Sequence, residues 1–397
     1  MAQRSTTQRQ IYFGIESTEG VDPYAGSNPP GANAILVTNL KVSPDLAFKP
    51  RSVVGQLGNY TGKIGAQTDP VLTFTLEARG GSAGGTIVPS IDPLLNIIFG
   101  YSAAPITNAT SRVLDTGAST LTGADSTGTS LHVVSSLNFS VGNAVAVETG
   151  NGTGAYEVGW ISAIPDGTHI TLAEALTNGV NLANGSTVNP SITYKPANAG
   201  HGSVSFQMYL DATSRVSFVG CKGSLKLDAP AVVSGGIPTF TLIWRAINWL
   251  DTDGGVVSRP TPSYDTAVPP ASYKFKIDAT APAVKLVSWD LRQSVARKRS
   301  QNSTYGTFAQ IVTDRNLRGF VQAYDEDETQ FSNWTAGTEQ AVSQQFGSTL
   351  LNIVAYRIPK AQRANVGYGD DNGSTTDEID FDGNLGSGAD EMRLAFL

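Results

Sequence analysis

Cysteine is almost absent from this 397-residue chain: Cys221 stands alone, so no intrachain disulfide can form. That excludes the secreted scaffolds that depend on such bridges and fits synthesis in a reducing compartment. Charge is scarce as well, at 15% of residues against about 25% in an ordinary globular protein. The 27 basic residues are outnumbered by 34 acidic ones, for a formal net charge of −7. A protein that grips nucleic acid by its phosphates carries the opposite balance. No run approaches the roughly 20 apolar residues of a membrane helix. Residues 1–10 lack the apolar stretch of a signal peptide. These absences predict a chain made in the cytoplasm that makes no use of a membrane.

What is present points to β structure. The 42 glycines, with abundant Thr, Ser, Val and Asn, favour short strands and tight turns, while Ala/Glu/Lys/Leu-rich stretches are nearly missing. Residues 1–33 read as an irregular arm with a β-like patch at 11–15, and strand signals begin at 34–42. Residues 43–70 read as a long connection. At Val71–Ala78, Leu72, Phe74 and Leu76 alternate with Thr73, Thr75 and Glu77, the period of a strand with one apolar face. A helix is expected to carry Leu94, Leu95, Ile97, Ile98 and Phe99, capped by Ser90 or Asp92, with Pro93 in its first turn and Gly100 as its stop. Alternation returns at 203–210, where Val204, Phe206, Met208 and Leu210 oppose Ser203, Ser205, Gln207 and Tyr209. Further strands are expected near 216–227, 239–247, 283–289, 306–313, 318–324, 350–358 and 389–397, with a short helix near 338–346. Residues 106–198, low in charge and dense in Thr, Gly, Asn and Ser, read as a small β-domain inserted into a core domain of 1–105 and 199–397.

Catalytic chemistry finds no foothold. His132, His169 and His201 form no metal-ligand spacing and read as surface or turn histidines. Cys221 lies beside Lys222, which lowers a thiol pKa in a suitable site, but a strand interior suits a buried filler better. No nucleophile elbow or phosphate loop occurs, and Gly80–Gly85 reads as a turn. Asp380, Asp382, Asn384 and Glu391 fall at four calcium-loop positions, yet Leu385 replaces the required turn glycine. Asp325–Glu328 reads as a solvated acidic turn. The basic stretch Lys285, Arg292, Arg297, Lys298 and Arg299 lacks interleaved aromatics and reads as a solvated loop or subunit contact. The expectation is a non-enzyme with no cofactor.

The order of several short motifs adds a resemblance. The arm Ile11–Gly20, the stretch Gly62–Gly65 followed by Leu72–Glu77, Gly80–Gly85 and Pro89–Leu95, the strands His201–Tyr209 and Gly220–Ser224, and the ending Gly388–Phe396 resemble the tail tube (major tail) proteins of long-tailed, siphovirus-like bacteriophages. Together they span about three quarters of the chain and omit the insert. The resemblance implies a mainly β, two-sheet sandwich or barrel with one flanking helix, plus the inserted β-domain on the tube exterior. It implies a virion subunit, made in the bacterial host cytoplasm, that stacks as homohexameric rings into a hollow tube for DNA ejection. Its implied partners are further copies of itself, the tail tip and terminator proteins, the tape measure protein inside the tube, and DNA as transiting cargo. Neighbouring subunits would complete one lumenal barrel, which removes exposed sheet edges.

On that reading Thr73, Thr75, Glu77, Ser203, Ser205 and Gln207 are lumen-facing candidates, neutral or acidic side chains that phosphates pass without binding. Phe48, Arg51, Val53, Val54 and Leu57, in the 43–70 connection, are candidates for contacts between rings or subunits. The alternative is a capsid-decorating or carbohydrate-binding β-protein. In that case residues 106–198 form the recognition domain, and Tyr156 and Trp160 stack on sugars.

Overall fold

The computed structural model describes residues 9–43, 46–51, 61–68, 70–81, 87–100, 112–114, 119–121, 126–137, 139–149, 154–177, 182, 186–211, 214–230, 236–253, 259–262, 273–303, 306–324, 329–386 and 390–397. Strand occupies 54% of it and helix 6%, so the fold is mainly β with large antiparallel sheets. Among the described residues no sheet closes into a barrel.

Two sheets share the strand Ser214–Pro230. Its first half joins a sheet that runs Ala34–Ile35, Gln10–Ile15, Val204–Tyr209, Ser214–Pro230 and Asn248–Asp253. Its second half lies between Thr239–Arg245 and Val284–Asp290 in a wider sheet. That sheet runs outward through Val71–Glu77 to Thr38–Ser43 on one side. On the other it continues through Arg318–Tyr324, Ser374–Gly383, Val354–Asp371, Glu339–Phe346 and Tyr273–Ile277. The crossing point is Gly220, whose φ of +66° is open to glycine at no steric cost and whose missing Cβ makes room for Ile247, 2.5 Å away from where it would stand. A residue in this conformation bends the strand and lets it serve both sheets.

The alternation read at Val71–Glu77 has the physical meaning assigned to it: Leu72, Phe74 and Leu76 are buried, and the residues between them are half-exposed. Phe74 meets Phe206 edge-on at 5.6 Å, and Phe206 meets Trp244 at 5.1 Å, which joins the two sheets across one core. The helix Asp92–Phe99 covers the end of that core. Neither Ser90 nor Asp92 caps it. The N-cap is Ile91, without a side-chain bond, and Asp92 instead accepts the Tyr194 hydroxyl at 2.5 Å.

Three other expectations change. Residues 43–70 contain two paired strands, Leu46–Arg51 and Thr61–Thr68, which continue Thr38–Ser43 and Val71–Glu77 as a ribbon. Residues Glu339–Phe346 form a strand, because neighbours on both sides pair with it and tertiary pairing overrides local helix propensity. The helix in that region is Thr329–Thr335. The insert proper is shorter than 106–198. Arg112–Leu114 and Ile192–Tyr194 pair with each other, and Ile192–Tyr194 pairs with Arg393–Phe396, in the main sheet. The insertion therefore leaves and returns on adjacent strands, the geometry that makes an insertion cheap.

Trp289 illustrates how tightly the wider sheet is packed. It lies over Gly319, its cross-strand partner, and its indole donates to the Tyr356 hydroxyl at 2.9 Å. A Cβ at position 319 would stand 2.4 Å from the indole ring. Gly319→Ala is expected to destabilise the protein by about 1–3 kcal/mol through overpacking, measured as a lower denaturant midpoint with an unchanged slope.

Candidate functional site

One continuous feature that could act on another molecule is a polar sheet face. Where Leu72, Phe74, Leu225, Leu227, Val287, Trp289, Ile379 and Phe381 point into the core, the residues between them point away from it. In register, Thr38, Thr75, Thr241, Lys226, Asp290, Arg318 and Asp382 are successive cross-strand neighbours. Six strand spacings of about 4.8 Å make this row about 29 Å long along the curve of the sheet. A second row runs Glu77, Thr239, Asp228, Ser288, Phe320 and Asp380.

The charges of this face largely neutralise one another. Lys226 sits 2.8 Å from Asp228, Arg318 3.1 Å from Asp382, Arg292 3.8 Å from Asp290 and Arg79 2.6 Å from Glu77. At its borders, Lys285 lies 2.7 Å from Asp371 and Lys360 3.3 Å from Glu339. The ammonium of Lys285 and the hydroxyl of Tyr324 hold Asp371 below the usual carboxylate range, and the bonds from Asn384 and Lys360 do the same for Glu339. Hydroxyls fill the gaps: Thr75 meets Thr241 at 3.1 Å, and Ser288 donates to Asp228 at 2.7 Å. Asp380 is exposed and Glu378 half-exposed, so the balance tips towards acid. A cation whose nearest neighbour is its own carboxylate offers little field to a passing phosphate.

Comparison with known proteins finds no matching family and no matching curated protein.

The lumen-facing candidates divide. Thr73, Thr75 and Glu77 lie half-exposed on the polar face. Ser203, Ser205 and Gln207 do not face open space; they are 4%, 0% and 1% exposed. The physical cause is the arm, which lies over them. Glu16 accepts from the hydroxyls of Ser203, at 2.6 Å, and Ser205, and Gln207 donates to Asp22 at 2.7 Å. Of the contact candidates, Phe48 and Arg51 lie in the ribbon strand Leu46–Arg51, and Val53, Val54 and Leu57 lie outside the described residues. The residues that sequence reasoning missed are Lys226, Asp228, Asp290 and Arg318, and it considered Asp382 only as a calcium-loop position. The Leu225/Leu227 and Val287/Trp289 alternation carried a signal for three of them.

The other candidates assemble no chemistry. Cys221 is fully buried, and burial, with the Glu16 charge nearby, pushes its thiol well up. His201 faces the carbonyls of Ile97 and Ala197, each at 3.1 Å, and burial pushes its pKa down. His132 and His169 are cross-strand partners with stacked rings, and His169 bonds to Asp166 at 2.9 Å. Asp380 and Asp382 lie in the strand Ser374–Gly383, and Glu391 is bound by Arg315 at 2.6 Å, so these residues form no calcium loop. Among the described residues no group of three or more His, Cys, Asp or Glu is placed to hold a metal ion. Asp325–Glu328 lies outside the described residues. Among those residues no helix is long and apolar enough to cross a membrane.

The insert has its own core of Leu131, Val145, Val147, Ile161, Ile170 and Val188. Its other side is fixed to the main sheet, where Ala144, Ala146 and Trp160 pack on Ile353, Ala355, Ala395 and Leu397. Trp160 is therefore buried, at 3% exposure, and cannot serve as a sugar platform, while the Tyr156 ring is half-buried in the same contact. Around this apolar patch, Arg357 reaches Glu174 at 2.5 Å, and Glu157 is held by Lys276 at 2.8 Å and Lys274 at 3.3 Å. Burial pushes the Glu157 carboxyl up, but the bond from Lys276, the amide of Thr177 and the Lys274 charge outweigh it and hold the group at about 2. A folded-state value below the unfolded 4.5 contributes stability above that pH and loses it as pH falls towards about 2. Glu157→Gln is expected to cost roughly 1–3 kcal/mol at neutral pH. It should also flatten the acid limb of the stability profile in that window, read by chemical denaturation at stepped pH.

Proposed function

We propose that this chain is a structural subunit that assembles with further copies of itself into a hollow conduit for DNA, the tail tube of a long-tailed bacteriophage. The observation that carries the reading is the polar face: a wide surface built from self-paired charges and hydroxyls, with no assembled catalytic group. Such a surface suits a wall past which a polyanion moves without being held. Thr73, Thr75, Glu77, Lys226 and Asp228 form the proposed lining. Two edges support assembly. Among the described strands Thr38–Ser43 and Asn248–Asp253 each have a partner on one side only, and an unpaired edge is a template for another chain. The ribbon of Leu46–Arg51 and Thr61–Thr68 extends the first of these edges, and a two-stranded ribbon gains stability by docking on something larger.

Negative-stain electron microscopy of the concentrated protein tests the assembly. Hollow, ring-striated tubes are expected. A chain that stays monomeric at every concentration and binds glycans through residues 119–189 would overturn the proposal in favour of a recognition module. Deleting residues 48–58 is expected to spare folding and abolish tube growth; normal tubes would remove the ribbon from the contact. The lining is tested by Asp228→Asn, Asp290→Asn and Asp382→Asn combined, which strips the partners from Lys226, Arg292 and Arg318. At low salt the triple variant should retard double-stranded DNA in a gel while the parent does not, and equal mobility would sink the charge-pairing account.

A further inference from the structure

Residues 16–28 cross the outer side of the strands Val204–Tyr209 and Ser214–Pro230, and of these thirteen residues only Glu16 is buried. Pro23 and the Tyr24 ring pack over Gly14; the other contacts that hold the segment down are polar. The Glu16 carboxylate accepts from the Ser203 hydroxyl at 2.6 Å, the Ser205 hydroxyl, the Gly220 amide at 2.7 Å and the Gly20 amide at 2.8 Å. Glu19 meets Lys222 at 3.2 Å and accepts the Gln310 amide. Gln207 donates to Asp22, Arg215 donates to the carbonyls of Tyr24 and Ser27 at 3.3 and 3.1 Å, and Tyr209 donates to Asn28 at 3.2 Å. Val21, the large aliphatic side chain of the segment, is 56% exposed. A segment fixed chiefly by hydrogen bonds loses less to water when it lifts than one fixed by apolar burial, because water replaces most of those bonds.

We propose that residues 16–28 are a releasable strap, that the Glu16 carboxyl group is its latch, and that the strap closes as pH falls and opens as pH rises. The latch is unusual in its partners: all four of its donors are neutral, and among the described residues no cation forms an ion pair with it. The charged and titratable groups on the elements packed against it are Glu19, Asp22 and Tyr24 on the strap, Arg215, Cys221 and Lys222 on the bent strand, and His201 just before Ser203. Lys222 is turned to Glu19 and Arg215 to backbone carbonyls. Burial accordingly pushes the Glu16 carboxyl above its ordinary range, and the bonds from Gly220, Ser203, Ser205 and Gly20 offset only part of that. The sign follows: a closed strap favours the protonated acid, so the closed form is favoured below the unfolded value and loses ground as pH rises through the folded one. Opening uncovers Ser203, Ser205 and Gln207, the polar row that the closed strap hides. The device rests on contacts within one chain and does not depend on tube assembly.

The Gly20 and Gly220 amides, both donors to Glu16, report the latch directly. Their hydrogen exchange is measured at residue resolution in the full-length parent and in Glu16→Gln at matched pH, so that intrinsic exchange rates cancel. In the parent, protection of both amides is expected to fall by up to about tenfold per pH unit as pH rises from the open-state to the closed-state pKa of Glu16, and to level off above it, while the Phe206 amide in the core stays protected. In Glu16→Gln the protection should be independent of pH. Glu19→Gln, which removes the neighbouring carboxylate and leaves the latch, should keep the pH dependence of the parent. Flat protection in the parent would overturn the proposal, and this arm needs no variant to fold. A pH dependence that persists in Glu16→Gln or disappears in Glu19→Gln would also overturn it, by moving the titration to another group.

Discussion

Everything in this architecture hangs on one strand that belongs to two sheets. Ser214–Pro230 gives Phe218 and Cys221 to the core with its first half and Leu225 and Leu227 with its second. Its backbone pairs with four other strands along the way. Gly220 makes this possible by allowing the bend, and the cost of the bend is an amide that neither sheet can satisfy. That amide goes to Glu16. The strap, the core and the polar face therefore meet within a few residues: Gly220 bonds the strap, Lys222 pairs with Glu19, and Lys226 and Asp228 stand in the polar face. A buried amide without a partner costs about 1–3 kcal/mol, so the sheet crossing and the presence of a buried acid are one arrangement.

Charge is handled differently on the two sides of that strand. On the exposed face, cations and carboxylates pair in partial contact with water, where each pair adds about 0–1 kcal/mol. Their consequence is a surface whose local fields cancel. Under the strap a carboxylate is buried with neutral donors only, and under the insert Glu157 is buried with two lysines. The two buried environments set ionisation in opposite directions. Glu157 favours the charged state, Glu16 disfavours it, and the face acids stand near water with their partners. A chain with few charges has placed several of its acids where they fix an interface or a segment.

Much of this was legible in the amino-acid order, and what was not has a physical reason. Alternation at Val71–Glu77 gave the strand, its core face and its half-exposed face, because period-2 patterning is a direct trace of one-sided burial. The same pattern at 203–210 gave the core face and misled about the other. Ser203, Ser205 and Gln207 are polar because they bond the arm, and alternation records polarity, not what covers it. The polar row was invisible as a row. Thr75 and Thr241 are 166 positions apart, and register between such strands is set by packing that no local window contains. The insert was recognisable by composition, but its edges were misplaced because Arg112–Leu114 and Ile192–Tyr194 read like the strands inside it while pairing in the main sheet.

The docking of the insert bears on the proposed role of this molecule. A recognition module on a hinge would join its carrier through a short, hydrated contact, since independent motion is its use. Here Ala144–Glu148 is buried along its whole length, with Val145 and Val147 turned to the insert core and Ala144 and Ala146 to the main sheet. Small side chains on the docking side bring the two sheets close, and Trp160 fills the space between them. Buried ion pairs then penalise any sliding, because a displaced Glu157 or Glu174 would be left without its cation. Rigid attachment fixes the outline of the molecule, which suits the proposed role as an assembling part better than that of a searching domain.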